Sequence, residues 1–341
     1  MTHVLVTRLD SDGDVLLAGP AIRALAAGCE RLTLVCGPRG RQAAELLPGV
    51  DEVLVWRAPW IDPEPDPIDP ADVERFVARL RGLRADRAVV LGSFHQSPLP
   101  TALLLRLAGV PDVAATCADY PGSLLDLRHR IGDEVHEVER SLDLVAAFGC
   151  PLPPGDDGAL RVRRPAAGRV APPFGEPYVV VHPGASVPAR AWAPERCADL
   201  VTALAEQGMR VAVTGGPGER ALTARVASPA RERVRDLGGA TTLAGLAEVI
   251  AAADAIVVGN TGPAHLAAAV GTPVVSLFAP TVPAVRWRPW RVPHELLHVD
   301  VPCAGCRARH CPVEGHPCVD EVTPQDVLAA LDRLVPLAVA A

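Results

Sequence analysis

The chain has 341 residues, 49% of them hydrophobic, which suits two folded domains better than a single core. Its formal charge of −7 argues against a general nucleic-acid binder, and all 33 basic residues are arginine, which excludes a lysine Schiff base and a P-loop lysine. No apolar run reaches membrane-spanning length, and Arg8, Asp10, Asp12 and Asp14 break the stretch in which a signal peptide would need its apolar core, so a cytoplasmic protein is expected.

Strand-like apolar runs fall at residues 3–7, 32–36, 52–56, 87–91 and 113–116, with helical patterns between them. That alternation predicts an open parallel sheet covered by helices on both faces. A proline-rich stretch from Cys150 to about Pro177 reads as an interdomain linker. The alternation restarts with strands at 178–181, 211–214, 255–258 and 273–277, and with helices near 195–207, 220–226, 242–251 and 262–269. A capped amphipathic helix at 323–335 closes the chain. The expected architecture is α/β: two Rossmann-like halves sharing a cleft, with domains at 1–165 and 166–322. The segment 323–341 is expected as a helix packing back toward the first domain.

Ligands of open α/β sheets sit beyond the carboxyl ends of the strands, so the loops after strands are where chemistry is sought. The first strand runs into Arg8-Leu9-Asp10-Ser11-Asp12-Gly13-Asp14-Val15. A carboxylate here can act as a general base toward a hydroxyl, or Asp14 can cap the following helix. An EF-hand reading fails, because Val15 stands where that loop needs glycine and no glutamate occupies the twelfth position. The loop also lacks the G-x-G-x-x-G turn of a dinucleotide oxidoreductase.

Three later loops carry complementary groups. His182-Pro183-Gly184-Ala185-Ser186, followed by Arg190-Ala191-Trp192-Ala193-Pro194-Glu195, supplies a hydroxyl and a guanidinium that can hold two phosphate oxygens. Gly215-Gly216-Pro217-Gly218-Glu219 lets backbone approach a nucleotide closely. The strand ending at Gly259 turns through Asn260-Thr261-Gly262-Pro263-Ala264-His265 into a helix of small residues. Backbone N–H groups, a hydroxyl and an imidazole are thereby placed at a helix N-terminus, a setting for phosphate or pyrophosphate.

In their order along the chain these segments resemble glycosyltransferase family 9, the ADP-heptose:lipopolysaccharide heptosyltransferases and their relatives. Residues 8–25 are similar to the family's R-x-x-x-x-G-D-V segment, and 182–194 to its h-P-G-a-s…K-x-W-x-P segment. Residues 215–219 and 259–269 are similar to its Gly-Gly and D-T-G-x-x-H-L-A-A-A segments. The resemblance implies a GT-B fold, with acceptor on the N-terminal domain and nucleotide-sugar on the C-terminal one. It also implies inverting transfer that requires no metal or other cofactor. Asp14 would then be the base, while Ser186, Arg190, Thr261 and Gly262 would stabilise the leaving diphosphate. His265 would orient the donor and Glu219 would contact its ribose. Arg190 stands where the family has lysine, and Asn260 where it has aspartate. An amide at 260 can hydrogen-bond a sugar hydroxyl or cap the helix, but it carries no charge.

His136-Glu137-Val138-Glu139-Arg140 resembles a further family segment, which makes His136 and Arg140 candidate acceptor contacts. Arg75, Arg79, Arg81 and Arg84, with Arg39 and Arg41, suit either an anionic, lipid-linked acceptor or a plain solvated helix face. The implied function is transfer of a sugar, heptose from ADP-heptose, to a cell-envelope glycan or glycolipid, with peripheral contact at the inner membrane surface. The alternatives are a family-9-like transferase using another nucleotide-sugar and a small-molecule acceptor, and a nucleotide-sugar-binding protein without catalysis.

Four cysteines fall at Cys303-x2-Cys306-x4-Cys311-x6-Cys318, interleaved with His310 and His316. The spacing suits a tetrahedral structural zinc, and reduced thiols in a compact loop are the other reading.

Overall fold

The computed structural model describes residues 2–164, 170–230 and 232–335. The chain divides into two compact units, Met1–Arg163 and Arg164–Ala341. The boundary expected at 165/166, and residues 336–341 of the expected terminal helix, lie outside the described residues.

The first unit is built on β1 (His3–Arg8), β2 (Arg31–Cys36), β3 (Glu52–Val55), β4 (Arg87–Val90), β5 (Asp112–Thr116) and β6 (Leu127–His129). They form one parallel sheet in the order β3-β2-β1-β4-β5-β6. Every residue of β1 is buried, because helices cover both faces of a parallel sheet, and that is why the central strands read as unbroken apolar runs. On one face Leu5, Val35 and Val90 pack with Phe76, Leu80, Ala102 and Leu105 from the helices Pro70–Leu83 and Leu99–Leu107. The start of the proline-rich stretch also folds onto this unit. Asp156 pairs with Arg23 at 2.7 Å, and Arg163 N donates to Leu46 O at 2.7 Å.

The second unit repeats the plan with β7 (Tyr178–His182), β8 (Arg210–Gly215), β9 (Val234–Gly238), β10 (Ala255–Gly259), β11 (Val274–Leu277) and β12 (His294–Leu297). Its parallel order is β12-β11-β10-β7-β8-β9. Relabelled from its own first strand, the second sheet has the same order as the first. The terminal helix Pro324–Leu334 starts at a Thr323 cap reciprocated by Asp326, and it buries Val327, Ala330 and Leu331. Those residues pack in this unit's core beside the helix Pro194–Glu206. Among the described residues no helix is long and apolar enough to cross a membrane.

Three strands were not expected from the sequence: β6, β9 and β12. Each lies at a sheet edge and reads Leu-Arg-His, Val-Arg-Asp-Leu-Gly or His-Glu-Leu-Leu. Edge strands are half solvated and tolerate charge, so they lack the apolar run that marks their central neighbours.

In each unit the strand order reverses beside the first strand, between β1 and β4 and between β7 and β10. Loops leaving the carboxyl ends of such a pair diverge to opposite sides and open a crevice where ligands bind. Both crevices are chemically loaded.

Candidate functional site

In the first unit β1 ends on Arg8, which is 2% exposed. Its Nε stands 3.1 Å from Asp10 Oδ2, and its Nη2 donates to Asp14 Oδ1 at 3.1 Å and to Ser93 Oγ at 2.9 Å. Glu137 Oε2 lies 3.8 Å from Nη1. One buried guanidinium therefore serves three carboxylates. Burial works against its charge, but Asp10, Asp14 and Glu137 outweigh that and raise its pKa. Asp10 moves the other way from an ordinary carboxyl. Burial, reinforced by Asp14 and Glu137, pushes it up to about 6 against the pull of Arg8 and of the Gln96 amide that donates to it.

Asp14 sits in the first turn of the helix Asp12–Leu17, and Ser11, rather than Asp14, occupies the N-cap position. The capping alternative for Asp14 is thereby set aside. Its side chain is 23% exposed, the most open of the three carboxylates around Arg8. Ser11 Oγ donates to Asp14 Oδ2 at 2.9 Å, so both oxygens are oriented by fixed donors. Asp12 turns away and accepts from Ala43 N at 2.9 Å. Asp10, Ser11 and Asp14 form one wall of a depression that Arg39, Arg57 and Ile61 help to close.

His136 and Arg140, the candidate acceptor contacts, lie at the start of the helix Glu137–Ala147, behind the Arg8 cluster. His136 is fully buried and caps the helix Glu137–Ala147, its Nδ1 accepting from Val138 N at 3.2 Å. Arg140 stands 3.5 Å from Glu137, so the segment backs the Arg8 cluster. Ser93 and Gln96, in the loop after β4, were missed by sequence reasoning. The signal was their place beyond a strand that borders the reversal, which only the topology reveals. Of the basic candidates, Arg75 pairs with Asp69 and Asp72, and Arg81 donates to Leu107 O at 2.9 Å.

In the second unit the loops after β7, β8 and β10 meet. Gly259 ends β10, and a Cβ there would stand 2.7 Å from the Arg190 carbonyl oxygen, so glycine lets the two loops touch. Asn260 is 7% exposed. Its Nδ2 donates to Ala279 O at 3.3 Å, while Oδ1 is buried with no hydrogen-bond partner. Thr261 is the N-cap residue of the helix Gly262–Val270, yet its side chain makes no capping bond and Oγ1 is also buried and unbonded. Buried polar atoms of this kind are normally completed by an ordered water, an ion or a ligand.

The helix start offers fewer amides than the sequence suggested. Pro263 has no N–H and the Ala264 amide turns back on Thr261 O at 3.0 Å, which leaves the Gly262 amide. His265 is 6% exposed in the same helix, Arg190 ends the short turn Pro188–Arg190, and Ser186 is exposed in the loop before it. Glu219 closes over the β7 loop: its Oε2 accepts from Gly216 N at 2.6 Å, and a Cβ on Gly184 would lie 2.0 Å from Oε1. His182 beneath it bonds Thr214 Oγ1 at 2.9 Å. Burial lowers the His182 pKa, and Glu219 opposes that shift.

The four cysteines of the 303–318 loop line one small cavity together with Ala189, Thr281 and His316. Cys303 and Cys306 are exposed, Cys311 is half-buried and Cys318 is buried, with its thiol pushed up to about 11 by burial and by the other three. Among the described residues no group of three or more His, Cys, Asp or Glu side chains is arranged to hold a metal ion. The tetrahedral arrangement expected from the cysteine spacing is therefore not formed: the thiols border a cavity instead of converging on one point.

The profile of glycosyltransferase family 9 (heptosyltransferase) matches residues 73–316. Lipopolysaccharide heptosyltransferase 1 of Pseudomonas aeruginosa is 32% identical over 248 residues, 70% of this chain and 66% of that protein. Lipooligosaccharide heptosyltransferase 2 of Campylobacter jejuni is 26% identical over 213 residues, 61% of this chain and 64% of that one. The chain thus spans slightly less than two thirds of the length of these relatives. The solved structure of Escherichia coli ADP-heptose lipopolysaccharide heptosyltransferase II superposes with a TM-score of 0.74 at 21% identity, covering 98% of each chain. That likeness places the fold among GT-B proteins.

Proposed function

The chain belongs to glycosyltransferase family 9, and from that membership we propose that it moves a sugar from a nucleoside diphosphate to a hydroxyl of a cell-envelope glycan or glycolipid, with ADP-heptose as donor. Asp14 takes the proton of the acceptor hydroxyl. The freed oxygen lone pair attacks the anomeric carbon opposite the diphosphate, the bond to the diphosphate oxygen breaks, and the nucleoside diphosphate leaves with its electron pair. A single displacement of this kind inverts the anomeric centre. Arg190 and the Gly262 amide meet the charge that grows on the leaving group, the task a divalent cation performs elsewhere, so the transfer runs without a metal. His265 and Ser186 border the donor, Asn260 and Thr261 accept from or donate to it, and Glu219 reaches the ribose.

The observation that carries this reading is the division of chemistry between the two crevices. One holds an oriented, partly open carboxylate on a buried arginine. The other has a helix start with two unsatisfied buried oxygens, Asn260 Oδ1 and Thr261 Oγ1, which the β7 loop touches through the Arg190 carbonyl at Gly259. A lipid-linked acceptor would bring the protein to the inner face of the membrane. Asn260, in place of the family's aspartate, supports a second reading in which the transferred sugar is not heptose.

Thermal unfolding with ADP, UDP, GDP and CDP tests the donor site. A ligand at 100 times its dissociation constant adds roughly 2.7 kcal/mol of stability. Selective stabilisation by ADP is expected and would be followed by an ADP-heptose transfer assay. Preference for another nucleotide would replace the donor, and no stabilisation by any of them would remove the nucleotide-sugar reading.

A further inference from the structure

The loop that presents Ser186 and Arg190 is held from behind by a distant segment of the same unit. Ala189 N donates to Arg309 O at 2.9 Å, and Ala189 O receives His316 Nε2 at 3.1 Å, across 127 residues of chain. Both backbone polar groups of the residue before Arg190 are therefore fixed, and Ala189 itself is 2% exposed. Farther along the loop, Ala193 N donates to Asp320 Oδ1 at 2.9 Å and Trp192 Nε1 donates to Val322 O at 3.2 Å. Asp320 Oδ2 in turn stands 3.5 Å from His316 Nδ1. In front, the Arg190 carbonyl rests against Gly259.

A carbonyl only accepts, so the His316 ring must carry its hydrogen on Nε2 to make this bond. The residue adopts the left-handed conformation (φ 43°, ψ 54°), which is uncommon outside glycine but accessible to histidine and asparagine. An arginine that must hold a diphosphate loses side-chain freedom on binding, and a loose backbone beneath it would add to that cost. We propose that His316 is a positioning residue for the donor diphosphate, acting through the Ala189 carbonyl to fix Arg190. Asp320 completes the latch by holding the exit of the loop at Ala193. The inference rests on the reading of Arg190 as a diphosphate ligand.

Two substitutions separate a latch from general structural support. His316→Gln places an amide nitrogen where Nε2 was and can still donate to Ala189 O. His316→Asn suits the left-handed backbone and stays near Asp320 but falls short of the carbonyl. With the full chain and ADP as probe, His316→Asn should weaken binding about tenfold, and His316→Gln should stay within about threefold of the parent. The donor KM should follow the same pattern while kcat at saturating donor holds. Amide exchange of residues 187–191 should quicken in the Asn variant and not in the Gln variant, a readout that shows the loop loosening even if stability also falls.

Arg190→Ala is the reference. Because His316 acts through Arg190, adding His316→Asn to Arg190→Ala should cost less than about twofold more in ADP affinity. Parent-like affinity in His316→Asn beside a weakened Arg190→Ala would overturn the latch alone. Equal losses in the Gln and Asn variants, or fully additive losses in the double variant, would overturn it too. Parent-like affinity in Arg190→Ala would show that the diphosphate assignment itself is wrong, and the inference would fall with it.

Discussion

The two units share one strand order and place their loops over equivalent crevices, yet the crevices are filled by opposite means. The first is dense with charge: Arg8 is surrounded by Asp10, Asp14 and Glu137, all within 3.8 Å of its guanidinium. The second sets neutral groups, Asn260, Thr261 and the Gly262 amide, at a helix start that the β7 loop touches through the Arg190 carbonyl, with Glu219 over that loop. A buried carboxylate cluster suits taking a proton, because neighbouring charges tune its basicity. A helix start suits a ligand that arrives and leaves as an anion. The fold supplies the two positions, and the side chains decide what each does.

The comparison is broken most severely at Arg8. Arg8→Met leaves three carboxylates without their shared partner, and unfolding by urea should show a loss of about 3–5 kcal/mol. In the second unit the largest effect is expected from backbone crowding. Gly259→Ala puts a Cβ 2.7 Å from the Arg190 carbonyl, so the β7 loop must shift. ADP affinity should fall about tenfold with a stability change of about 1–3 kcal/mol, read by calorimetry and thermal unfolding.

The charge cluster also predicts a pH signature of its own. The Asp10 carboxyl, ordinarily near 3.8, is raised to about 6, so the folded state holds its proton more tightly than the unfolded chain. That contribution is complete below about pH 4 and is lost as pH rises through 6. The parent should therefore lose stability relative to Asp10→Asn between pH 4 and 6, measured as the difference in unfolding midpoint across that window. The smallest effect is expected at Asn260. Asn260→Ala should leave ADP affinity within about twofold while raising the KM of the nucleotide-sugar severalfold, because one neutral hydrogen bond to the sugar is lost.

Much of this was legible in the sequence, for a physical reason. Strands buried on both faces carry mostly apolar residues along their middle, and β1, β2, β7, β8, β10 and β11 all announced themselves in that way. The three missed strands sit at edges, where solvent permits Arg128, Asp236 or Glu295. The loops after β1, β7 and β10 were readable because glycine, proline and polar residues cluster where apolar strands stop.

What the sequence did not reveal were partnerships made across long separations. Arg8 meets Ser93 across 85 residues, and His316 reaches Ala189 across 127. No local pattern encodes these contacts; they exist because parallel strands bring distant loops to one edge of a sheet. His136 differs: its cap on Val138 N is a local contact, and what its motif did not show is that the ring is fully buried.

The most direct test of the central claim is the Asp14→Asn variant, measured for both transfer and ADP binding. The account predicts that turnover falls by about a thousandfold while ADP affinity stays at the parent value, because the base lies in one unit and the diphosphate site in the other. Turnover near the parent level, or ADP affinity falling in step with turnover, would contradict it.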